Sequence, residues 1–419
     1  MFKYKSGYSY DEFSEMCNQF KKVKLPFFGG YDVNRVLAEY IFGYSMKRFP
    51  TGIKKTFGRM IASLCTYNIE VSGNSGVAFV FTGDGKGRPD YIEALDKVIK
   101  QTDSAIKVVL DREKLHFRIT YMPGLFIELL WALQLNKLIN NFNVSMDMAV
   151  SLYRAKKQGE SIYLELRKRR AKKIVTFCDL WAIESIITQQ ANKDRLITAT
   201  LQHGNGTDIL YGSCSKYYLA NSKLSKKNCI IAGIPENKII IAGPMKYAGE
   251  IYSYPNALSM RRIGIVFDGA QNFENNVEML NVIHDVLNGY DGICCIRFHP
   301  NNRRDDYLPY LKETDIVYDD LAEFERKIDI CVVYNSSMYT DMIYKKIPVY
   351  RFKNGKIDLF TELGDRGFSN SDELQKIFQK IQSEPETVLQ EQLGLFDQVF
   401  GSECTAVAYR DFFKNKYNM

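Results

Sequence analysis

Histidine is scarce in this chain, with 4 in 419 residues, and so are tryptophan (2) and proline (11). So few imidazoles leave little choice for a proton carrier at neutral pH. Nine cysteines (Cys17, Cys65, Cys178, Cys214, Cys229, Cys294, Cys295, Cys331 and Cys404) include no CxxC pair. Their odd number, their scatter and the lack of a CxxC pair argue against a zinc site or a disulfide framework, and they read as small apolar residues of a reducing cytosol. No apolar run reaches the roughly 20 residues that span a bilayer. The most lipid-like stretch, PGLFIELLWALQL over 123–135, is interrupted by Glu128. It reads as a core helix, with contact at a membrane surface as the lesser alternative. Behind the first lysines of MFKYKSGYSYDEF there is no apolar segment, which reads against a signal peptide. GxSxG, HExxH, P-loop and kinase patterns are all missing. With 46% hydrophobic and 13% aromatic residues the chain is no disordered segment, and its 28 glycines show no collagen-like period.

What is present is charge, unevenly spread. The net charge is +7, but residues 1–250 carry +14 and the remainder −7. The densest cluster is LRKRRAKK over 166–173. A basic first half suits a phosphate-bearing substrate or an anionic membrane surface, whereas cations at a helix end also suit the macrodipole alone. No zinc-finger, RNP or homeodomain pattern accompanies the cluster, so nucleic acid is not an expected partner.

From about Gly76 the chain alternates short apolar runs with helical periodicity, the pattern of parallel βαβ units. Strands are predicted at 77–82, 107–110, 174–177, 196–201, 217–220 and 238–242, and again at 263–267, 292–297, 315–318, 330–334 and 349–352. Helices are predicted at 91–101, 125–141, 146–157 and 180–190, and in the second half at 275–287, 321–327, 338–345 and 373–381. Segments 11–20, 33–48 and 52–65 predict a helical N-terminal extension. The organisation expected is an N-terminal α/β domain over 1–243, a second over 244–402, and a final helix over 403–419 that packs back on the first domain. Two such domains facing a central cleft would bind ligands at the carboxyl ends of their strands.

Candidate chemistry sits at those strand ends. His203, in Thr200-Leu201-Gln202-His203-Gly204-Asn205-Gly206-Thr207-Asp208, would occupy a strand tip on an open loop. An unperturbed imidazole there can take a proton from a hydroxyl. Arg297 and His299 in CIRFHP leave another strand two residues apart, a cationic pair suited to phosphate. Ser336 and Ser337, in YNSSM, follow a third strand and open a helix, with Asp341 on its next turn. The glycine run TGDGKGRP, with Asp84 and Gly85, fits neither GxGxxG nor a P-loop and reads as a cleft loop that touches an acceptor. His116 and His284 read as structural, and neither Asp305-Asp306 nor Asp319-Asp320 has a convincing metal-ligand set.

The QHG loop, the GIPENKI stretch, the HP motif and the double serine, in this order, resemble GT-B glycosyltransferases of bacterial surface polysaccharides. The HP and SS pair is similar to that of bacterial sialyl and Kdo transferases and of teichoic-acid (CDP-glycerol) polymerases. The match is scattered over residues 174–352. Departures are Gln202, where the polymerases have Trp, Asn335, where an aromatic commonly precedes the serines, and the missing Asp/Glu-Asp-Gly base motif. The resemblance implies a GT-B fold and an inverting, metal-independent transferase without a cofactor. Its catalytic residues would be His203 and Asp208. Arg297, His299, Ser336, Ser337 and Asp341 would hold a nucleotide donor, with cytidine favoured. Asp84, Gly85, Gln202 and Gly204 would meet a glycan acceptor, free or lipid-linked, at the cytoplasmic face of a membrane. A CDP-glycerol or CDP-ribitol transferase, a nucleotide-sugar epimerase and a non-catalytic nucleotide-binding protein are the alternatives.

Overall fold

The β-branched and aromatic runs pair into two separate sheets, and the helices between them cover both faces. The computed structural model describes residues 15, 19–20, 23–45, 58, 61, 64–83, 88–117, 124–202, 213–231, 233–255, 258–354, 366–401, 404 and 407–414. The chain divides into two units, Met1–Gly249 with Cys404–Met419, and Glu250–Glu403.

The first unit holds strands β1 (Cys65–Ser72), β2 (Gly76–Phe81), β3 (Ala105–Phe117), β4 (Ala171–Thr176), β5 (Ile197–Leu201), β6 (Tyr217–Ala220) and β7 (Ile239–Ile241). Their order in the sheet is β1-β3-β2-β4-β5-β6-β7. Only β1, at the edge, runs antiparallel. Its helices are α1 (Val33–Ser45), α2 (Pro89–Ile99), α3 (Gly124–Ile139), α4 (Phe142–Lys168), α5 (Ala182–Lys193) and α6 (Lys223–Ile231). Strand β2 is buried throughout, because Ala78 and Val80 face α1, α3, α4 and α5 while Phe79 and Phe81 face α2. A strand covered on both faces reads as a continuous apolar run. The C-terminal helix Ala408–Phe413 joins the α2 side through Tyr409, Phe412 and Phe413. Lys173 fastens it there, its Nζ donating to the carbonyls of Phe412 (3.2 Å) and Phe413 (2.9 Å).

The second unit holds β8 (Arg262–Val266), β9 (Ile293–Arg297), β10 (Ile316–Val317), β11 (Ile330–Val333), β12 (Val349–Phe352) and β13 (Gly367–Phe368), all parallel, in the order β10-β9-β8-β11-β12-β13. Helices α7 (Phe273–Leu287), α8 (Leu321–Lys327), α9 (Met338–Tyr344), α10 (Ser371–Ser383) and α11 (Pro385–Val399) accompany them.

Several features depart from expectation, and β13 and α11 have no counterpart among the predicted elements. The edge strand β1 is unforeseen, because half-buried Asn68 and exposed Glu70 and Ser72 dilute the apolar run. Helix α4 runs on through Gly159 to Lys168, past the end predicted at residue 157. That glycine is there for close approach, since a Cβ would stand 2.9 Å from the Ile186 Cβ and 3.1 Å from the Ile183 carbonyl oxygen. The first unit also extends past 243, because Met245 and Ala248 belong to its core.

Candidate functional site

In a doubly wound sheet, ligands gather where successive crossovers leave a strand in opposite directions. The second unit has this point between β8 and β11: the chain leaves β8 for β9 and β10 on one side, then returns to β11 on the other. Val266, near the tip of β8, pairs with Arg297 of β9 and with Val333 of β11. Adjacent strands lie about 4.8 Å apart, so Arg297 and Val333 stand roughly 10 Å apart across Val266. The loops that follow them carry His299 and Ser336-Ser337, and all rise from the same carboxyl edge.

Arg297 is half-buried and its Nη1 donates to the Phe298 carbonyl at 3.2 Å. His299 is half-buried too, and its Nδ1 accepts from the Asn301 N–H at 3.2 Å. A nitrogen that accepts carries no proton, so the neutral ring is protonated on Nε2. Ser336 is buried, its hydroxyl accepting from the Met338 N–H at 3.3 Å, whereas Ser337 is exposed at the N-cap of α9 and makes no side-chain cap. Asp341 is buried one turn into that helix, and its N–H donates to the Ser337 carbonyl.

A polar network that the sequence does not announce fixes the loop after β8. The Asn276 side chain accepts from the Asp268 N–H (2.9 Å) and donates to its carbonyl (2.9 Å), while also donating to the Tyr307 hydroxyl (3.0 Å). Asn302, in the loop after β9, donates to the same carbonyl at 3.1 Å. Asp268 in turn accepts from the Gly269 N–H and from Asn272. Beyond it, Asn272, Asn275, Asn354 and Tyr334 form a hydrogen-bonded chain toward β11 and β12. The missed signal was the repetition of asparagine where helix α7 begins, at Asn272, Asn275 and Asn276.

The first unit has its own switch point, between β2 and β4. Glu184 of α5 closes it. One carboxylate oxygen accepts from the Thr82 N–H (2.8 Å) and hydroxyl (3.2 Å), and the other from the Cys178 N–H (2.7 Å). Burial nevertheless pushes its pKa well above the usual carboxyl range. Gly83 lies flat on the Trp181 indole, which a Cβ would overlap at 1.9 Å, and Trp181 stacks on Phe177. Asp84 and Gly85 lie outside the described residues.

His203, Gly204 and Asp208 also lie outside them, but both ends of that segment are described. On the near side, Gln202 is fully buried. Its Oε1 accepts from the Asn221 N–H (2.9 Å) and its Nε2 donates to Ser225 Oγ (3.1 Å). Gln202 is therefore an anchor for β5, β6 and α6, not the acceptor contact expected of it. On the far side, Asp179 Oδ2 accepts from Ser213 Oγ (2.6 Å), the Cys214 N–H (2.8 Å) and the Ser215 N–H (3.1 Å), while its Oδ1 pairs with Arg35 at 3.1 Å. Beside this anchor is a cavity of about 410 Å³, lined among others by Arg35, Lys193, Ser213, Cys214 and Lys238. Burial, with Asp179 adjacent, pushes the Cys214 thiol up, so it is no ready nucleophile.

Half of the basic cluster is taken up by structure, while Lys168, Arg170 and Lys172 are exposed. Arg169 pairs with Glu165 (2.8 Å) and donates to the Gly73 carbonyl, Arg167 faces Asp194 at 3.7 Å, and Lys173 is buried. Helix α3 resolves the lipid-like stretch into two faces. Gly124, Glu128, Trp131, Ala132 and Leu135 are buried, whereas Phe126 (65%), Leu129 (39%) and Leu133 (49%) are exposed. Among the described residues no helix is long and apolar enough to cross a membrane.

No protein-family model matches this sequence, and no curated protein matches it. Solved structures do. A UDP-GlcNAc 2-epimerase from Neisseria meningitidis bound to UDP-GlcNAc is similar with a TM-score of 0.52 at 12% identity, covering 82% of this chain and 100% of that one. The S. aureus MnaA–UDP co-structure is similar with a TM-score of 0.50 at 10% identity, covering 82% and 98%. The fold is GT-B, with two Rossmann-like α/β units.

Proposed function

We propose that this GT-B chain is a nucleotide-sugar enzyme, and specifically an inverting glycosyltransferase. The observation that supports it best is the strand register setting Arg297 and the loops of His299 and Ser336-Ser337 around the tip of β8. In this reading the second unit binds the donor. Arg297, the Nε2–H of His299 and the serine hydroxyls donate to its phosphates and stabilise the charge that develops on the departing nucleotide. His203 takes the proton of an acceptor hydroxyl as the oxygen attacks the anomeric carbon, and Asp208 orients the imidazole. Asp341 supports the loop of the serines. The resemblance seen in the sequence favours a cytidine nucleotide, while the two fold neighbours are described with UDP or UDP-GlcNAc. A binding panel of CMP, CDP and UDP separates these donors.

The exposed face of α3 is the surface of the first unit best suited to a lipid-linked acceptor. Phe126, Leu129 and Leu133 share one side of the helix, and exposed Lys137 continues it. Apolar side chains flanked by a cation suit an anionic headgroup layer.

The deciding experiment uses two variants with the true donor and acceptor. His203→Ala should abolish turnover with nucleotide binding nearly intact, and His299→Ala should weaken nucleotide binding itself. Near-normal turnover by His203→Ala overturns the assignment. A second reading, nucleotide-sugar epimerisation, is favoured by the name of the Neisseria neighbour. It requires conversion of UDP-GlcNAc with no acceptor present, which proton NMR of the incubated nucleotide sugar detects.

A further inference from the structure

We propose that the second unit contains a divalent metal site of the zinc type, formed by His284, Cys294 and Asp315. The ligands come from three elements: His284 from α7, Cys294 from the start of β9, and Asp315 from the turn that enters β10. One ligand atom from each lies within 4.8 Å of the others. His284 Nε2 is 3.1 and 3.0 Å from the two Asp315 oxygens. In a tetrahedral zinc site, bonds of about 2.0–2.3 Å separate the ligand atoms by roughly 3–4 Å. The three side chains thus need only a small inward adjustment to share one ion.

The donor set and its surroundings favour such an ion. Sulfur, imidazole nitrogen and carboxylate oxygen together suit zinc better than magnesium or calcium, which take oxygen alone. A thiolate and a carboxylate neutralise a divalent cation, and an uncharged cluster is what this burial requires: Cys294 is 2% exposed, and the side chains of His284 and Asp315 are 8% and 2% exposed. A supporting shell is already in place. The Lys312 N–H donates to Asp315 Oδ2 at 2.8 Å, fixing the carboxylate. The Lys312 ammonium is directed at the end of α7, donating to the His284 carbonyl (3.4 Å) and Asn288 Oδ1 (3.0 Å), not at the three ligands. Cys294 is the second residue of β9, whereas Arg297 ends it, so the site lies toward the amino edge of the sheet, away from the loops of the proposed donor site. Its role is to tie α7, β9 and the entry to β10 together, and it does not rest on the glycosyltransferase reading.

Cobalt(II) titration of the full-length, chelator-treated protein tests this. One equivalent should produce the intense visible bands of tetrahedral cobalt with a thiolate-to-cobalt charge-transfer band, and one equivalent of zinc(II) should bleach both. Cys294→Ser should remove the charge-transfer band. Cys295→Ser, one residue along and facing the other side of the strand, should retain it. Asp315→Asn, which preserves the shape of the carboxylate, should weaken zinc at least tenfold and abolish the zinc-induced rise in melting temperature, with circular dichroism confirming the fold. A wild-type protein that takes up no cobalt, or a band that survives Cys294→Ser, overturns the proposal and leaves His284 and Asp315 as a plain hydrogen-bonded pair.

Discussion

Arg35 and Asp179 form a buried ion pair at 3.1 Å in which only one carboxylate oxygen serves the arginine. The other gathers Ser213, Cys214 and Ser215. Helix α1, the loop after β4 and the far end of the 203–212 segment thus depend on one side chain.

Removing that side chain should be costly. Asp179→Ala removes the carboxylate that faces the buried Arg35 cation and takes from the Cys214 amide its acceptor. Breaking a buried pair from one side typically costs about 3–5 kcal/mol. Denaturant unfolding measures the loss. Hydrogen exchange should show faster exchange at the amides of Cys214 and Ser215, while those of β8 to β12 stay protected.

Glu184 predicts a pH dependence. Its folded pKa lies above the unfolded value, so in the window just above the ordinary carboxyl range the folded state binds more protons than the unfolded state. Stability from this group is full below that window and declines as pH rises through the folded pKa. Glu184→Gln should abolish this part of the pH slope. It should also lower stability by about 1–3 kcal/mol, because an amide has one acceptor oxygen for two backbone N–H groups. Denaturant melts of both proteins across a pH series, compared as a difference, read out both effects.

Lys173 holds the C-terminal helix, and burial pushes its amine pKa down. Lys173→Met keeps the aliphatic stem and removes the donor to two helix carbonyls. Limited proteolysis should cleave the tail beyond residue 404 markedly faster than in the wild type. Equal rates would show that Tyr409, Phe412 and Phe413 suffice.

Asn276 clamps the Asp268 backbone from both sides. If the β8 loop borders a nucleotide, Asn276→Ala should reduce UDP or CMP affinity about tenfold or more, corresponding to loss of about 1.4 kcal/mol. Calorimetric titration checks this. Unchanged affinity would remove the β8 loop from the donor site.

Phe126→Ser with Leu133→Ser should reduce co-sedimentation with anionic vesicles several-fold and leave turnover of a soluble acceptor unchanged. Vesicle binding equal to the wild type would exclude the α3 face as a membrane contact.

The strands were legible in the sequence because the interiors of parallel sheets admit few residue types. The run GVAFVF of β2 and the run ICVV of β11 can hardly lie anywhere but between two helical layers. Strand β1 was not legible, since an edge strand with one wet face tolerates Asn68 and Glu70. The bounds of α4 were hidden by Gly159, whose reason for being glycine is a neighbour 27 positions away in the chain.

Sequence alone determined the alternation of strand and helix, the identity of the strand-end residues Arg297, His299, Ser336 and Ser337, and the scarcity of imidazole that makes His203 worth testing. Strand order decided which of those ends rise on either side of one strand, because β8 lies between β9 and β11 only once the crossovers have been made. Tertiary packing decided the rest. It turned Gln202 inward as an anchor, assigned Asp179 and Glu184 to hold loops, tied Arg167, Arg169 and Lys173 of the basic cluster into the first unit, and brought His284, Cys294 and Asp315 together from three elements. A side chain's type is local, but its partners are whatever the fold carries within about 3 Å of it.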